Sequence, residues 1–295
     1  MIGKGIEFGD ALSRKQDPAK ARARSAASLS GTVGGALAIV ILLLAYIGPI
    51  LSPYSPTAIA GIPFQGPSMQ HWMGTDILGR DILSRFLNGG GTLILVAFAS
   101  TILAYVCGIS LGLIMGFRRG VIDMVSVVLI DLVLAIPPII VVLVLLAALG
   151  PRLWLIIAAI AGVFAPRIAR LVRSVALEIS AQDYVEAAIA RGERTASILL
   201  WDVFMNAILP ISADVGIRLS GAIILFSSLS YLGLGEPPPA PDWGAMISEN
   251  RAGMTIQPWA VIVPAATIAL LAVGINLVAD AVARVTGRSV VARDL

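Results

Sequence analysis

Six long apolar stretches run along this chain of 295 residues, and they constrain its fold more than any other feature. A helix that crosses a membrane needs about 20 mostly apolar residues. Only 13% of the residues are charged, whereas a soluble domain carries roughly 25%. The sequence therefore predicts an all-α polytopic membrane protein with six transmembrane helices. The predicted spans are Gly31–Leu51, Thr92–Phe117, Val121–Leu149, Leu153–Val172, Ala207–Leu232 and Trp259–Ala283.

Prolines mark two of these spans. The third carries Pro137-Pro138 at its middle, and the fourth is interrupted near its end by Pro166 and Arg167. A proline kink at membrane depth is tolerated where neighbouring helices satisfy the freed backbone groups. We therefore expect the third span to be kinked and to lie inside a bundle.

The distribution of positive charge predicts the orientation. With the N-terminus inside, sixteen of the 21 Lys and Arg residues fall in cytosolic segments, four fall in outer loops and Arg218 lies within a span. Inner loops carry the excess of Lys and Arg, so both termini are predicted to be cytosolic. The predicted segments are a cytosolic tail 1–30, the first span 31–51, an outer loop 52–91 with an amphipathic helix, a five-helix core 92–283 that includes the inner loop 174–206, and a cytosolic tail 284–295.

Rare residue types exclude several kinds of site. Cys107 is the single cysteine and His71 the single histidine, so neither a disulfide framework nor a His/Cys metal site is expected. A phosphate-binding G-x-x-x-x-G-K-[ST] loop needs a lysine, and none occurs after Lys20. The net charge of +3 is too small to indicate nucleic acid. We expect no catalytic residue, no metal and no cofactor on this chain.

The inner loop is predicted to contain a short helix with both ends marked. Ser180 followed by Asp183 matches a capping box, and Arg191 before Gly192 matches a helix stop. A second helical run, Thr195–Phe204, would return the chain to the membrane. From the residues alone, the short helix could be an ordinary amphipathic connector on the membrane surface.

One motif in this helix resembles a known family. Glu186-Ala187-Ala188-x-x-x-Gly192 is similar to the EAA motif of ABC importer permeases. The resemblance implies a coupling helix that docks into a groove of a separate ATPase subunit, with ATP and Mg bound by that partner. The family usually has a Leu-Pro pair at the positions occupied here by Phe204 and Met205.

Further motifs narrow the resemblance to the dipeptide/oligopeptide/nickel permeases. They are Gly74-Thr-Asp76-Ile-Leu-Gly79-Arg80-Asp81-Ile-Leu-Ser-Arg85, the segment from Ser230 to Met246, and Asn276 with Asp280. The likeness points to the second, C-type permease. It implies a type I ABC importer transmembrane fold, a second homologous permease, two ATPase subunits or domains, an extracytoplasmic binding protein and the bacterial inner membrane. The implied cargo is a dipeptide or oligopeptide, with a nickel chelate or glutathione as the alternative.

The outer motif itself permits two interpretations. Asp76 and Arg80, and likewise Asp81 and Arg85, are spaced as ion pairs on a helix face. This pattern favours either a salt-bridged helix resting on the membrane surface or a lid or docking surface for the binding protein, to which Gly79 would also belong.

The segment Gly233–Trp243 is rich in glycine and proline, and it predicts a rigid outer turn. We expect Trp243 near the membrane interface, where aromatic residues concentrate. It is included among the candidate lid or binding-protein contacts.

Charges within the spans also suggest function, since they are costly there. We expect Asp131 to face the interior, Asp214 and Arg218 to neutralise one another, and Asp280 to meet Arg284.

Two other classes fit the sequence less well. An ion-driven secondary transporter would show internal repeats and broken helices, and no segment in the other half matches the proline-kinked span. An intramembrane enzyme would need a nucleophile–base pair or metal ligands, and the single His71 and the single Cys107 lie in different segments.

Overall fold

The computed structural model describes residues 18–117 and 120–291, and its regular structure in these ranges consists of helices and two isolated β-bridges. The helices are α1 Pro18–Leu51, α2 Ile82–Asn88, α3 Gly91–Phe117, α4 Val121–Ala135, α5 Pro138–Leu149, α6 Leu153–Ile179, α7 Asp183–Ala190, α8 Met205–Tyr231, α9 Trp243–Asn250 and α10 Trp259–Val291. A turn of α-helix, Thr195–Ser197, and a π-helical segment, Ile198–Phe204, lead into α8 without a break. The predicted run Thr195–Phe204 is therefore helical.

Five helical stretches of the described chain are long and apolar enough to span a membrane, and the pair α4–α5 makes a sixth if it is counted as one span. The prediction of six spans agrees with this count. The helices run past the predicted ends: α6 continues from Val172 to Ile179 and α10 from Ala283 to Val291. Arg167 and Arg170, which the charge count placed on the cytosolic side although both fall inside the fourth predicted span, lie within α6.

The third predicted span is broken where only a kink was expected. α4 and α5 meet at an angle of 86°. Each residue before a proline is driven to extended backbone, because the proline ring clashes with a helical predecessor. Ile136 and Pro137 accordingly have ψ of 133°, so the helix stops and restarts at Pro138. In this chain α4 exposes most of its side chains, whereas Val142 and Leu146 of α5 are buried in the core.

The bundle is held together by close contacts between helix backbones. Gly108, Gly112 and Gly116 form a stripe on α3 that faces α6. A Cβ at Gly112 would lie 2.6 Å from the Ala169 carbonyl oxygen and from the Val172 Cβ, so only glycine permits this approach. Small residues serve the same purpose in other membrane helix pairs, where packing replaces the hydrophobic effect.

The terminal spans make a similar contact. A Cβ at Gly34 of α1 would lie 2.6 Å from the Leu277 Cβ and 2.7 Å from the Gly274 carbonyl oxygen of α10. Helix α10 also packs on α8, where Gly216 meets Ala279. α1 is thereby joined to the core through α10.

Candidate functional site

Helix α7 has a defined end at each side. Asp183 and Glu186 lie in its first turn, where carboxylates interact favourably with the helix dipole. At its other end the Gly192 amide donates to the Ile189 carbonyl at 2.9 Å and the Glu193 amide donates to the Ala188 carbonyl at 3.2 Å. These two bonds form a Schellman motif, and Gly192 takes the positive φ of 77° that it needs. The predicted glycine stop is confirmed.

The predicted capping box is wrong. The residue before α7 is Gln182, which makes no side-chain cap hydrogen bond. Ser180 instead ends α6, and its amide donates to the Ala176 carbonyl at 2.9 Å. Ser180 therefore stands too far before α7 for its side chain to reach the first free amides.

The two alanines of the motif face in different directions. Ala188 and Val185 are buried in the same apolar cluster as Ile198 and Val203 of the π-helical segment. Ala187 and Glu186 are exposed on the opposite side of α7. The helix is thus attached to the segment that leads into α8, and it presents a free outer face.

A residue outside the motif joins this free face. Tyr184 is 45% exposed, and burial together with the Asp202 carboxylate raises its pKa. Nothing lies within 4 Å of the position that a Gly192 Cβ would take, so the turn after α7 is open. The free face therefore consists of Tyr184, Glu186 and Ala187, and Gly192 lies at its end.

At the opposite end of the bundle the predicted ion pairs are buried and are connected differently. Asp76 lies before α2 and accepts hydrogen bonds from Arg80 Nε at 2.7 Å and from Arg85 Nη1 at 2.6 Å. The same two guanidinium groups reach Glu249 of α9, at 2.7 and 2.9 Å. All but Glu249 are nearly inaccessible to solvent. The helix expected on the membrane surface over Asp76–Arg85 is therefore wrong, because residues 76–80 form a turn and α2 is packed inside the protein.

Asp81 does not pair with Arg85. It accepts hydrogen bonds from the Ser84 amide at 2.8 Å and from the Ser84 hydroxyl at 2.7 Å, which caps α2. Its other oxygen lies 2.9 Å from His71 Nδ1. Gly79 has a φ of 76° and lies directly against the Gly61 carbonyl, so its role in the described chain is to shape this turn.

Trp243 is fully buried among protein groups. Its indole nitrogen donates to the Phe86 carbonyl at 2.8 Å, and its ring stacks on Phe86 with a centroid distance of 5.5 Å. Asp242 caps α9 through the amides of Gly244 and Ala245. Burial raises the pKa of Asp242, whose Oδ2 has no hydrogen-bond partner.

Sequence reasoning missed the residues that connect the outer loop to α9. Besides Glu249, Asn250 accepts from the Ile77 amide at 3.0 Å, and Gln257 donates to the Gln65 and Met73 carbonyls at 2.7 and 3.1 Å. These polar residues are about 170 to 190 positions away from their partners along the chain. Local spacing cannot predict such contacts, because the motif already supplies one acid for each of its two arginines.

The charges within the spans are mostly paired. Arg218 Nε donates to Asp214 Oδ2 at 2.8 Å, as predicted, and the Tyr105 hydroxyl donates to the same oxygen at 3.0 Å. Asp131 is exposed in this chain and pairs with Arg170.

Arg284 does not meet the Asp280 carboxylate. Its Nε donates to the backbone carbonyl of Asp280 at 3.1 Å. Among the described residues no group of three or more His, Cys, Asp or Glu could hold a metal ion.

Comparisons with known proteins agree on one family. The family model described as "Binding-protein-dependent transport system inner membrane component" matches residues 108–291. The dipeptide transport system permease protein DppC of Alkalihalophilus pseudofirmus is 35% identical over 84% of this chain and 82% of its own length. The oligopeptide transport system permease protein OppC of Bacillus subtilis is 34% identical, with 84% of this chain and 82% of the relative covered. The glutathione transport system permease protein GsiD of Pectobacterium atrosepticum is 32% identical, with 83% and 82% covered.

Proposed function

The chain belongs to the family of binding-protein-dependent transport system inner membrane components, and from this premise we propose that it is a permease subunit of an ATP-driven importer of di- or oligopeptides. The cargo proposal rests on relatives named for dipeptide and oligopeptide transport. A relative named for glutathione transport supports that peptide-like solute as the second candidate. A nickel chelate is a further alternative from the family resemblance.

Helix α7 is the observation that carries the mechanism. Its inner side packs on the π-helical segment, which continues directly into α8, so a movement of α7 is transmitted to that span. Its free face carries Glu186 and Ala187, and the Gly192 turn beside it is open. We propose that a partner ATPase binds this face and that closure of its nucleotide sites tilts α8. ATP and Mg are held by two ATPase subunits or domains, and this chain has no catalytic residue.

The orientation follows from the same proposal. Helix α7 must lie in the cytosol to meet an ATPase, and the excess of Lys and Arg in the segments assigned to that side supports this. Both termini are then cytosolic, in the bacterial inner membrane. A second, homologous permease completes the path, as the resemblance to the C-type subunit implies.

The outer loop supplies the contact with the extracytoplasmic binding protein. The buried network of Asp76, Arg80, Arg85 and Glu249 fixes the shape of this loop. Around it the loop exposes large apolar side chains, which suit a protein contact better than an aqueous surface. They are Ile59, Ile62, Met69, Trp72 and Leu78.

Uptake in a deletion strain tests the proposal. The strain is complemented with the wild-type gene or with an empty vector, and uptake of a labelled dipeptide, a labelled tetrapeptide, labelled glutathione and nickel is measured. Loss and rescue of at least one peptide is the expected result. Rescue of nickel alone would retain the importer and refute the peptide cargo. No difference for any solute would contradict the proposed function.

A further inference from the structure

Arg167 is the exception among the arginines of α6. Arg170 pairs with Asp131 and Arg173 with Asp123. In the described part of the chain no ion pair includes Arg167, which is half-buried and donates to the Val163 carbonyl of its own helix at 3.0 Å. A charged side chain inside a span is costly unless something offsets the charge.

Arg167 lies beside a second arginine. Helices α6 and α8 cross the bundle in opposite directions, and the Phe164 ring of α6 is 3.3 Å from the position that a Cβ of Gly221 would take on α8. One turn further along α6 is Arg167, and one turn back along α8 is Arg218. At about 1.5 Å per residue, Arg167 lies about 21 Å from the Leu153 end of α6, and Arg218 about 20 Å from the Tyr231 end of α8.

The charges at this depth do not balance. Arg167 and Arg218 each lie one helical turn from the point where Phe164 approaches Gly221, on the same side of it. Asp214 offsets one of the two facing guanidinium groups, and its Oδ2 is already shared by Arg218 and Tyr105. One guanidinium charge therefore has no carboxylate to neutralise it, about two-thirds of the way across an apolar layer of about 30 Å. Guanidinium groups bind carboxylates with two parallel hydrogen bonds, and this geometry suits an incoming carboxylate.

We propose that Arg167, supported by Arg218, binds the C-terminal carboxylate of the transported peptide on its way through the membrane. This inference rests on the proposed function and names the group of the solute that the path recognises. Binding at this site is transient, since the solute must leave it. A single unpaired guanidinium group also binds a carboxylate more weakly than a cluster of positive charges would. The alternative occupant is an acidic side chain of the second permease, and the test distinguishes the two.

The test uses the complete complex in liposomes with its binding protein. Transport of trialanine and of trialanine amide is measured, each at a concentration that saturates the binding protein. Arg167→Gln should slow trialanine by about tenfold, the loss expected for one charge-assisted hydrogen-bond pair, and leave the amide unchanged. Arg167→Lys should retain part of the preference for the free acid. Arg152→Gln, an exposed arginine before the same helix, should keep the wild-type ratio.

Two results would contradict the proposal that Arg167 binds the carboxylate of the solute. Equal slowing of both peptides by Arg167→Gln would assign Arg167 to the permease interface, and unchanged transport of both would remove it from the path. If the wild-type complex carries neither peptide, the proposed function fails by itself. The site is then judged by modification of Arg167 with phenylglyoxal, followed by mass spectrometry. Acetate should protect Arg167 and leave Arg152 reactive, and equal labelling of Arg167 with and without acetate would contradict the carboxylate site.

Discussion

Replacing Asp76 by asparagine should destabilise the outer end of the bundle severely. The Oδ2 of Asp76 receives Arg80 Nε and Arg85 Nη1, and its Oδ1 receives the amides of Leu78 and Arg80 at 2.9 Å. The amide nitrogen of asparagine, placed where Oδ2 was, would direct hydrogens at both guanidinium groups. Arg85, whose Nε and Nη2 already lack partners, would depend on Glu249 alone.

The magnitude follows from the burial of the network. Removing one member of a buried ion pair costs about 3–5 kcal/mol, because the remaining charge is left uncompensated. At about 2 °C per kcal/mol for a chain of this size, the melting temperature should fall by roughly 6–10 °C. Thermal unfolding of the purified protein in detergent, followed by fluorescence, measures the change. Glu178→Gln, which neutralises an exposed carboxylate on α6, is the matched control.

A double variant tests whether the four charged groups act as one network. Asp76→Asn combined with Arg85→Met leaves Arg80 and Glu249 as a neutral pair at 2.7 Å. Neighbours in one network are not additive, so the double variant should be at least as stable as Asp76→Asn alone. Two results would refute this network. One is that Asp76→Asn melts at the same temperature as Glu178→Gln, and the other is that the losses of stability of Asp76→Asn and Arg85→Met simply add in the double variant.

Three further changes follow from the packing and the electrostatics. Gly112→Ala should cost about 1–3 kcal/mol by forcing α3 away from α6, whereas Gly162→Ala, which has nothing within 4 Å, should be neutral; equal melting temperatures would contradict the stripe. Trp243→Phe should cost about 2 kcal/mol in the same assay, through lost volume and the lost bond to a carbonyl, and a wild-type melting temperature would refute this. Burial raises the folded-state pKa of Asp242 above its usual value of 3.8, so its ionisation lowers stability as the pH rises from that value through the folded-state pKa. Asp242→Asn should remove this loss, so that the melting temperature falls less with rising pH between 4 and 8. A pH dependence of the melting temperature equal to that of the wild type would contradict this.

The spans could be predicted from the sequence because each is long, apolar and locally determined. The glycine stop after α7 is likewise local, since a positive φ is needed within one turn of the helix. The break at Pro137-Pro138 was visible, but its size was underestimated. Each of the two successive prolines restricts the backbone of the residue before it, so neither Ile136 nor Pro137 can remain helical.

The outer site could not be predicted in the same way. The spacing of Asp81 and Arg85 suggested a pair, yet Asp81 caps α2 and Arg85 turns to Asp76 and Glu249. Spacing alone cannot distinguish a pair on a helix face from a cap and a long-range contact. The contacts of Trp243 could not be predicted for a related reason, since its neighbours Phe86 and Gly89 come from a distant part of the chain.

The central claim is that α7 couples this permease to an ATPase, and transport per ATP hydrolysed tests it most directly. The complete complex is reconstituted in liposomes, and peptide uptake and ATP hydrolysis are measured together for Glu186→Lys and Gly192→Pro. Glu186→Lys reverses a charge on the free face, and proline cannot adopt the φ of 77° found at Gly192. Glu178→Lys is the matched charge-reversal control.

Both α7 variants should remain in the membrane, and their uptake per ATP should fall by about 5- to 150-fold, the usual range of coupling energies between sites. Glu178→Lys should match the wild type. Wild-type uptake per ATP in both α7 variants would contradict the claim that this helix transmits the energy of ATP hydrolysis.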